Sequence, residues 1–362
     1  MSDALTFIED NRARFREELY DFLRIPSISA KSEYNDETHQ SAEWLAARMQ
    51  ETGLEVEVMV TEGHPVVLGE WRGAGADAPT VLIYGHYDVQ PPEPLDLWDS
   101  PPFEPTERDG RIYARGSADD KGQLYMHVKA LEAHLATSGS LPINVVVLAE
   151  GEEEVGSPNL VPFVNAHTAR LACDVVVISD TGMFAEGLPS LLFSLRGLAY
   201  FEIHVTGARS DLHSGEYGGS VLNPGNALAQ IIASLHNDQG RIAIPGFYDD
   251  VVAWDTETRE QIAALPHSDE EFREELEVDT LVGERGFSTL ERMWIRPTCD
   301  VNGMLCGYTD EGAKTVLPNH AMAKVSFRLV PDQTDAKVKE LLEAHLQNVT
   351  PEGITLQLIE LH

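Results

Sequence analysis

Four places in the sequence hold residues whose types and spacing can do metal-assisted acid–base chemistry. The first is His86-x-Asp88, within PTVLIYGHYDVQPPEP from Pro79 to Pro94. An imidazole there can bind a metal through one nitrogen, while the carboxylate two residues on fixes its tautomer and raises its basicity through the other. The second is Asp119 with Asp120, in the glycine-punctuated loop ARGSADDKG from Ala114 to Gly122. The third is EGEEEVGS, Glu150 to Ser157, with Glu152, Glu153 and Glu154 consecutive, and the fourth is Asp180, after DVVVIS. A histidine with several carboxylates and no cysteine suits zinc or manganese at a catalytic site, not a structural zinc knot. Carboxylates that outnumber the ligands of one ion point to two ions sharing a bridging carboxylate and a water. Two metals about 3.5 to 4 Å apart can lower the pKa of that water and polarise a carbonyl together.

Such chemistry also needs a base. Three consecutive glutamates after a strand cannot all face one ion, so one can ligate while its neighbour takes the proton from the water. Each feature alone has a plain reading: a histidine at a strand end is ordinarily solvated, and a glutamate run is ordinarily an acidic turn. Their placement favours the metal reading. Val81 to Tyr84 is a short apolar run bounded by turn residues, the pattern of a strand buried on both faces. Pro142 to Leu148 is a second apolar strand and Asp174 to Ser179 a third. Three parallel-looking strands thus each deliver a histidine or carboxylate at the C-terminal end, where open α/β sheets place their ligands.

The flanking elements complete a domain. Phe7, Phe15, Leu19, Phe22 and Leu23 recur at helical spacing from Leu5 to Arg24, and Pro26 ends that helix. A second helix runs from Thr38 to Thr52 and stops at Gly53; alternating strands follow at Leu54 to Val60 and Val66 to Trp71. A helix from Gly122 to Thr137 carries His127 and His134, which read as ordinary helix residues. This alternation predicts an α/β domain with a mostly parallel sheet flanked by helices. From Ser194 the pattern changes. Leu195 to Gly207 alternates like an antiparallel strand, strands recur at Thr298 to Leu305, Ala321 to Val330 and Ile354 to Leu361, and helices are expected at Asn226 to His236, Thr256 to Glu277 and Thr334 to Leu346. These elements predict an α+β sandwich, with domains at residues 1–195 and 196–362.

A chain of 362 residues can form one large domain or two. Its net charge of −34 excludes a nucleic-acid partner, which needs a basic footprint. No glycine-rich phosphate loop follows a strand, so nucleotide binding is not expected. No segment has the apolar length of a membrane span, and Met1 to Asp10 lacks the basic start and apolar core of a signal peptide. Cys173, Cys299 and Cys306 form no CxxC motif and read as buried free thiols of a cytoplasmic protein.

These motifs also carry a resemblance. GHYDVQP, ARGSADDKG, EGEEEVGS and ISDT resemble the motifs of the co-catalytic dimetal peptidase family that includes carnosinases, cytosolic nonspecific dipeptidases, glutamate carboxypeptidase and aminoacylase. GHYDVQP is most similar to the dipeptidase branch. In the second domain, DLHSGEYGGSVLNP (Asp211 to Pro224) and AKTVLPNHAMAKVSFRLVP (Ala313 to Pro331) resemble the family's lid. The resemblance implies that His86 and Asp180 bind one ion, Asp119 bridges, Glu154 binds the second, Glu153 is the general base, and Asp88 backs His86. It implies a cis peptide between Asp119 and Asp120. It also implies that His213 stabilises the oxyanion in a neighbouring subunit, that Arg328 grips the substrate's terminal carboxylate, and that Thr315 lies near the substrate. From the residues alone, His213 is a turn histidine beside glycines, and Arg328 reads equally as a strand arginine that snorkels or pairs with an acid and as a substrate contact.

The expectation from the resemblance is a cytoplasmic homodimer, joined through the lid, that holds two divalent ions, Zn2+ foremost with Mn2+ or Co2+ as alternatives. It would hydrolyse dipeptides or short peptides with a free C-terminal carboxylate. The family's second ion takes its last ligand from a histidine in a C-terminal segment returning from the lid. The sequence reaches the end of the lid at His362, which does not match that ligand, so this closing segment is expected to be absent from the sequence. Two rival expectations follow: an N-acyl amino acid amidohydrolase with the same site, and an inactive metal-binding or partner-binding member.

Overall fold

The structure is a computed structural model and describes residues 3–192 and 194–361. The chain divides into two compact units, Met1–Leu191 and Leu192–His362.

Unit 1 opens with helices α1 (Asp3–Leu23) and α2 (Asn35–Thr52). Gly53 ends α2 in the left-handed region, at φ 102°, which a residue without a Cβ adopts at no steric cost. The sheet that follows uses β1 (Glu55–Met59), β2 (Val66–Trp71), β3 (Thr80–His86), β4 (Asn144–Glu150) and β5 (Val175–Ile178), with α3 (Lys121–Ser138) between β3 and β4. Their order across the sheet is β1-β2-β4-β3-β5. Every residue of β4 is buried, as expected of a Val-rich central strand covered on both faces.

The expectation of a mostly parallel sheet is corrected to a mixed one. β1 pairs with β2 and β2 with β4 antiparallel, whereas β3 pairs with β4 and with β5 parallel. The six residues between β1 and β2 allow only an antiparallel return, while the longer β3 to β4 connection carries α3 as a crossover. On one face Phe22, Leu45, Met49, Leu124 and Val128 close a core against Val67, Val145 and Val147. The rings of Phe22 and Trp44 stack at 4.6 Å between centroids. Lys121, fully buried at the start of α3, donates to the carbonyls of Phe22 at 3.0 Å and Ile25 at 2.7 Å, ending α1 on α3.

Unit 2 contains a four-stranded antiparallel sheet. Its strands are β6 (Gly197–Thr206), β7 (Thr298–Cys306), β8 (His320–Leu329) and β9 (Thr355–Glu360), in the order β7-β8-β6-β9. One face alternates inward: Ala199, Phe201, Ile203 and Val205 of β6 meet Ala321, Ala323, Val325 and Phe327 of β8. Helices α4 (Pro224–Ala233) and α5 (Asp335–Val349) cover that face through Leu228, Ile231, Leu342 and Leu346. Asn223 and Thr334 cap the two helices by accepting first-turn amides. The single helix expected over Thr256 to Glu277 is two, Thr256–Ala263 and Asp269–Glu275. Pro266 lies in the break, where it has no N–H for a helix to use.

The cysteines need a correction too. All three are free, but only Cys299 is buried; Cys306 is half-buried and Cys173 exposed, the latter because it precedes β5, whose Val175, Val176 and Ile178 form an exposed sheet edge. No helix among the described residues is long and apolar enough to cross a membrane.

Candidate metal centre

Strand register assembles the candidate site in unit 1. β3 pairs parallel with β4, His86 opposite Glu150, and with β5, Tyr84 opposite Ile178. His86 lies two residues beyond Tyr84, and Asp180 two beyond Ile178, so both leave the sheet at one level beside the glutamate turn. Asp119 and Asp120 reach the same edge immediately before α3, across a cis peptide.

His86 is fully buried. Its Nε2 lies 3.1 Å from Asp119 Oδ1 and 3.6 Å from Asp180 Oδ2. Its Nδ1 faces acceptors, the Asp88 carbonyl oxygen at 3.1 Å and Asp88 Oδ1 at 3.3 Å. A proton on Nδ1 satisfies those acceptors and leaves the Nε2 lone pair aimed between two carboxylates. Two sets of ligand atoms therefore converge, His86 with Asp119 and Asp180, and His86 with Glu153 and Glu154, each within 4.8 Å.

The electrostatics show what such a cluster lacks. Burial opposes a charged His86, but Asp88, Asp120 and Asp180 outweigh it and raise its pKa from 6.5 to about 10. Burial, reinforced by neighbouring carboxylates, pushes Glu153, Glu154 and Asp180 above the usual carboxylate range and Asp120 up to about 7. Asp120 Oδ1 is buried without a hydrogen-bond partner among the described residues. Crowded carboxylates short of positive charge, with one imidazole and no thiolate, fit hard or borderline divalent cations.

Asp88 ties the parts together. Its Oδ2 accepts the hydroxyl of Ser29 at 2.6 Å and the amide N–H of Glu154 at 3.1 Å, and Oδ1 accepts the amide of Glu153 at 3.3 Å. Gln90 Nε2 donates to Glu154 Oε2 at 2.6 Å, leaving Oε1 of that carboxylate for other use. Glu152 turns inward instead, where Asn159 Nδ2 donates to it at 2.8 Å. The glutamate run is thus split by its own turn, one side chain into the protein and two toward His86. Gly85 permits the close approach behind it: a Cβ there would stand 2.7 Å from Asp120 Oδ2 and 3.0 Å from Leu124 Cδ1.

Sequence reasoning missed Ser29, Gln90 and His127. Gln90 stands two residues past Asp88 in GHYDVQP, a spacing that could have flagged it, whereas nothing local links Ser29 to Asp88, 59 residues on. His127, read as an ordinary helix residue, has Nε2 2.6 Å from Ser179 Oγ, next to Asp180.

The remaining candidates lie in unit 2. His213 and Thr315 meet where the short strands Leu212–His213 and Val316–Leu317 pair. His213 Nδ1 accepts the Gly215 amide at 3.1 Å, which puts the ring proton on Nε2, 3.2 Å from Thr315 Oγ1. Arg328 is exposed on β8, opposite Leu198 of β6 and Thr298 of β7, and has no ion-pair partner among the described residues. His362 lies outside the described residues.

The model of the peptidase family M20/M25/M40 matches residues 82–347. Cys-Gly metallodipeptidase dug1 of Schizosaccharomyces pombe is 33% identical over 356 residues, covering 94% of this chain and 74% of that protein. The human Beta-Ala-His dipeptidase is 33% identical over 287 residues, covering 79% of this chain and 56% of that protein, just over half its length. Among solved structures, the M20 family metallo-carboxypeptidase Sso-CP2 from Sulfolobus solfataricus superposes with a TM-score of 0.81 at 38% identity, covering 99% of this chain and 78% of that one.

Proposed function

This chain belongs to the peptidase family M20/M25/M40, and from that membership we propose that it hydrolyses the peptide bond of dipeptides, or of short peptides with a free C-terminal carboxylate. The observation that carries the reading is the pair of carboxylate sets converging on one buried imidazole, His86. The dipeptidase activities of relatives at 33% identity supply the substrate class.

His86, Asp119 and Asp180 would hold one divalent ion and Glu154, with Asp119 shared, a second; zinc suits the donors best, and manganese or cobalt would also fit. Such ions supply positive charge that polarises a scissile carbonyl and acidifies a water. The chain's own residues do the rest. Glu153 takes the proton of the attacking water and returns it to the leaving amine, a shuttle suited to a carboxylate whose pKa burial and its neighbours raise. Asp88 holds His86 Nδ1 on one side and the Glu153–Glu154 turn on the other, fixing base and ligands in one frame. In unit 2, the Nε2 proton of His213 would stabilise the oxyanion beside Thr315, and the guanidinium fork of Arg328 would grip the substrate carboxylate. We further infer that unit 2 is the lid, that it joins a homodimer in which His213 serves the partner's site, and that the protein works in the cytoplasm. The support for these is the resemblance of Asp211 to Pro224 and Ala313 to Pro331 to the family's lid, together with three unpaired cysteines.

The test is a panel of dipeptides, including Cys-Gly and β-alanyl-histidine, set against acetyl and succinyl amino acids, after loading with zinc or manganese. Turnover of dipeptides with negligible release from the acyl amino acids supports the reading. The reverse preference overturns it.

A further inference from the structure

We propose a separate transition-metal site on the open face of the unit 2 sheet, formed by His204 and His320. β6 and β8 are antiparallel neighbours, with His204 opposite Met322 and Thr206 opposite His320. The two histidines are therefore diagonal cross-strand neighbours on one face, within reach of each other's side chains. That face is the one away from the core, since Ile203 and Val205 on either side of His204 are buried against the helices.

The nitrogens already converge. His204 Nδ1 lies 3.0 Å from His320 Nε2, with the rings tilted 32° apart. The other nitrogen of His204, Nε2, lies 2.9 Å from Glu202 Oε2. A carboxylate accepting the far ring N–H is how metal-binding histidines are held in one tautomer with their basicity raised. Glu202 is itself fixed, because Lys324 Nζ stands 3.4 Å from its other oxygen. Glu202 is accordingly a positioning residue, and His204 and His320 are the ligands.

The separation selects the ion. Two nitrogens 3.0 Å apart, each bonded at about 2.05 Å, subtend an angle of about 95° at the metal. That is close to the cis angle of tetragonal copper(II) or nickel(II) and well short of the tetrahedral angle zinc prefers. On binding, the ion replaces the hydrogen shared by the two nitrogens, and the proton on His320 moves from Nε2 to Nδ1. No third His, Cys, Asp or Glu ligand atom among the described residues completes a cluster here, so water fills the remaining positions.

Copper(II) titrated into zinc-loaded protein, followed by electron paramagnetic resonance and by copper counted after gel filtration, tests the site. The candidate centre of unit 1 offers one imidazole among the described residues, so a two-nitrogen hyperfine pattern marks the new site. The wild-type protein should take up one equivalent with that pattern. His204→Gln and His320→Gln should each abolish it, and Glu202→Gln should keep it with affinity weakened about 10- to 100-fold. Copper uptake and spectra unchanged in both histidine variants would overturn the proposal. Should either variant fail to fold, the wild-type spectrum decides, since a single-nitrogen pattern alone also overturns it.

Discussion

The Asp88 carboxylate accepts the amide N–H of Glu154 at 3.1 Å across 66 residues of sequence. The same side chain stands against His86 Nδ1, so one buried carboxylate sets the position of a candidate ligand on β3 and of the turn after β4. Asp88→Ala should free both. Zinc affinity, measured by competition with a chelator, should fall about 10- to 100-fold. Ser29→Ala removes one hydrogen bond to Asp88 and should act in the same direction more weakly, by about 1 kcal/mol. Unchanged zinc affinity in Asp88→Ala would show that the turn holds itself.

Gly85 is required by space. A methyl group there meets Asp120 Oδ2 and Leu124 Cδ1, and neither can retreat far from beneath a buried strand. Gly85→Ala should destabilise unit 1 by about 1 to 3 kcal/mol in urea unfolding. A midpoint equal to that of the wild type would refute the packing.

Glu18 ties α1 to α3. Lys129 pairs with it at 2.7 Å, Tyr125 donates to it at 2.7 Å and Arg14 at 2.8 Å. Burial opposes its ionisation, but the hydrogen bonds from Lys129, Tyr125 and Arg14 outweigh it and lower the pKa from 4.5 to about 2. A depressed carboxylate contributes stability that is fully present above its unfolded pKa and is lost as pH falls through the folded value. The melting temperature of Glu18→Gln should therefore lie below wild type at pH 7, and the gap should close between pH 4.5 and about 2. A gap independent of pH would assign the effect to packing alone.

The half of the fold that carries the candidate metal centre was legible because its signals are local. The strands that run into His86 and Glu150 and toward Asp180 announce themselves as apolar runs with charged ends, and parallel pairing then aligns those ends. Pairing direction was less legible, since β1 and β2 look alike whichever way they run, and only the short connection between them decides. The partners of the site were hidden for a different reason. Ser29 comes from the loop after α1 and His127 from a helix face, and each reaches the site through tertiary contact that leaves no spacing in the sequence. The His204–His320 pair was likewise invisible, because antiparallel register brings together two residues 116 apart in the sequence.

In the proposed mechanism Glu153 moves the proton while other groups hold the ions. The most direct measurement is dipeptide turnover by Glu153→Ala beside its metal content. Metal content should be unchanged and kcat lowered about 10²- to 10⁴-fold. Undiminished turnover at full metal content would contradict it.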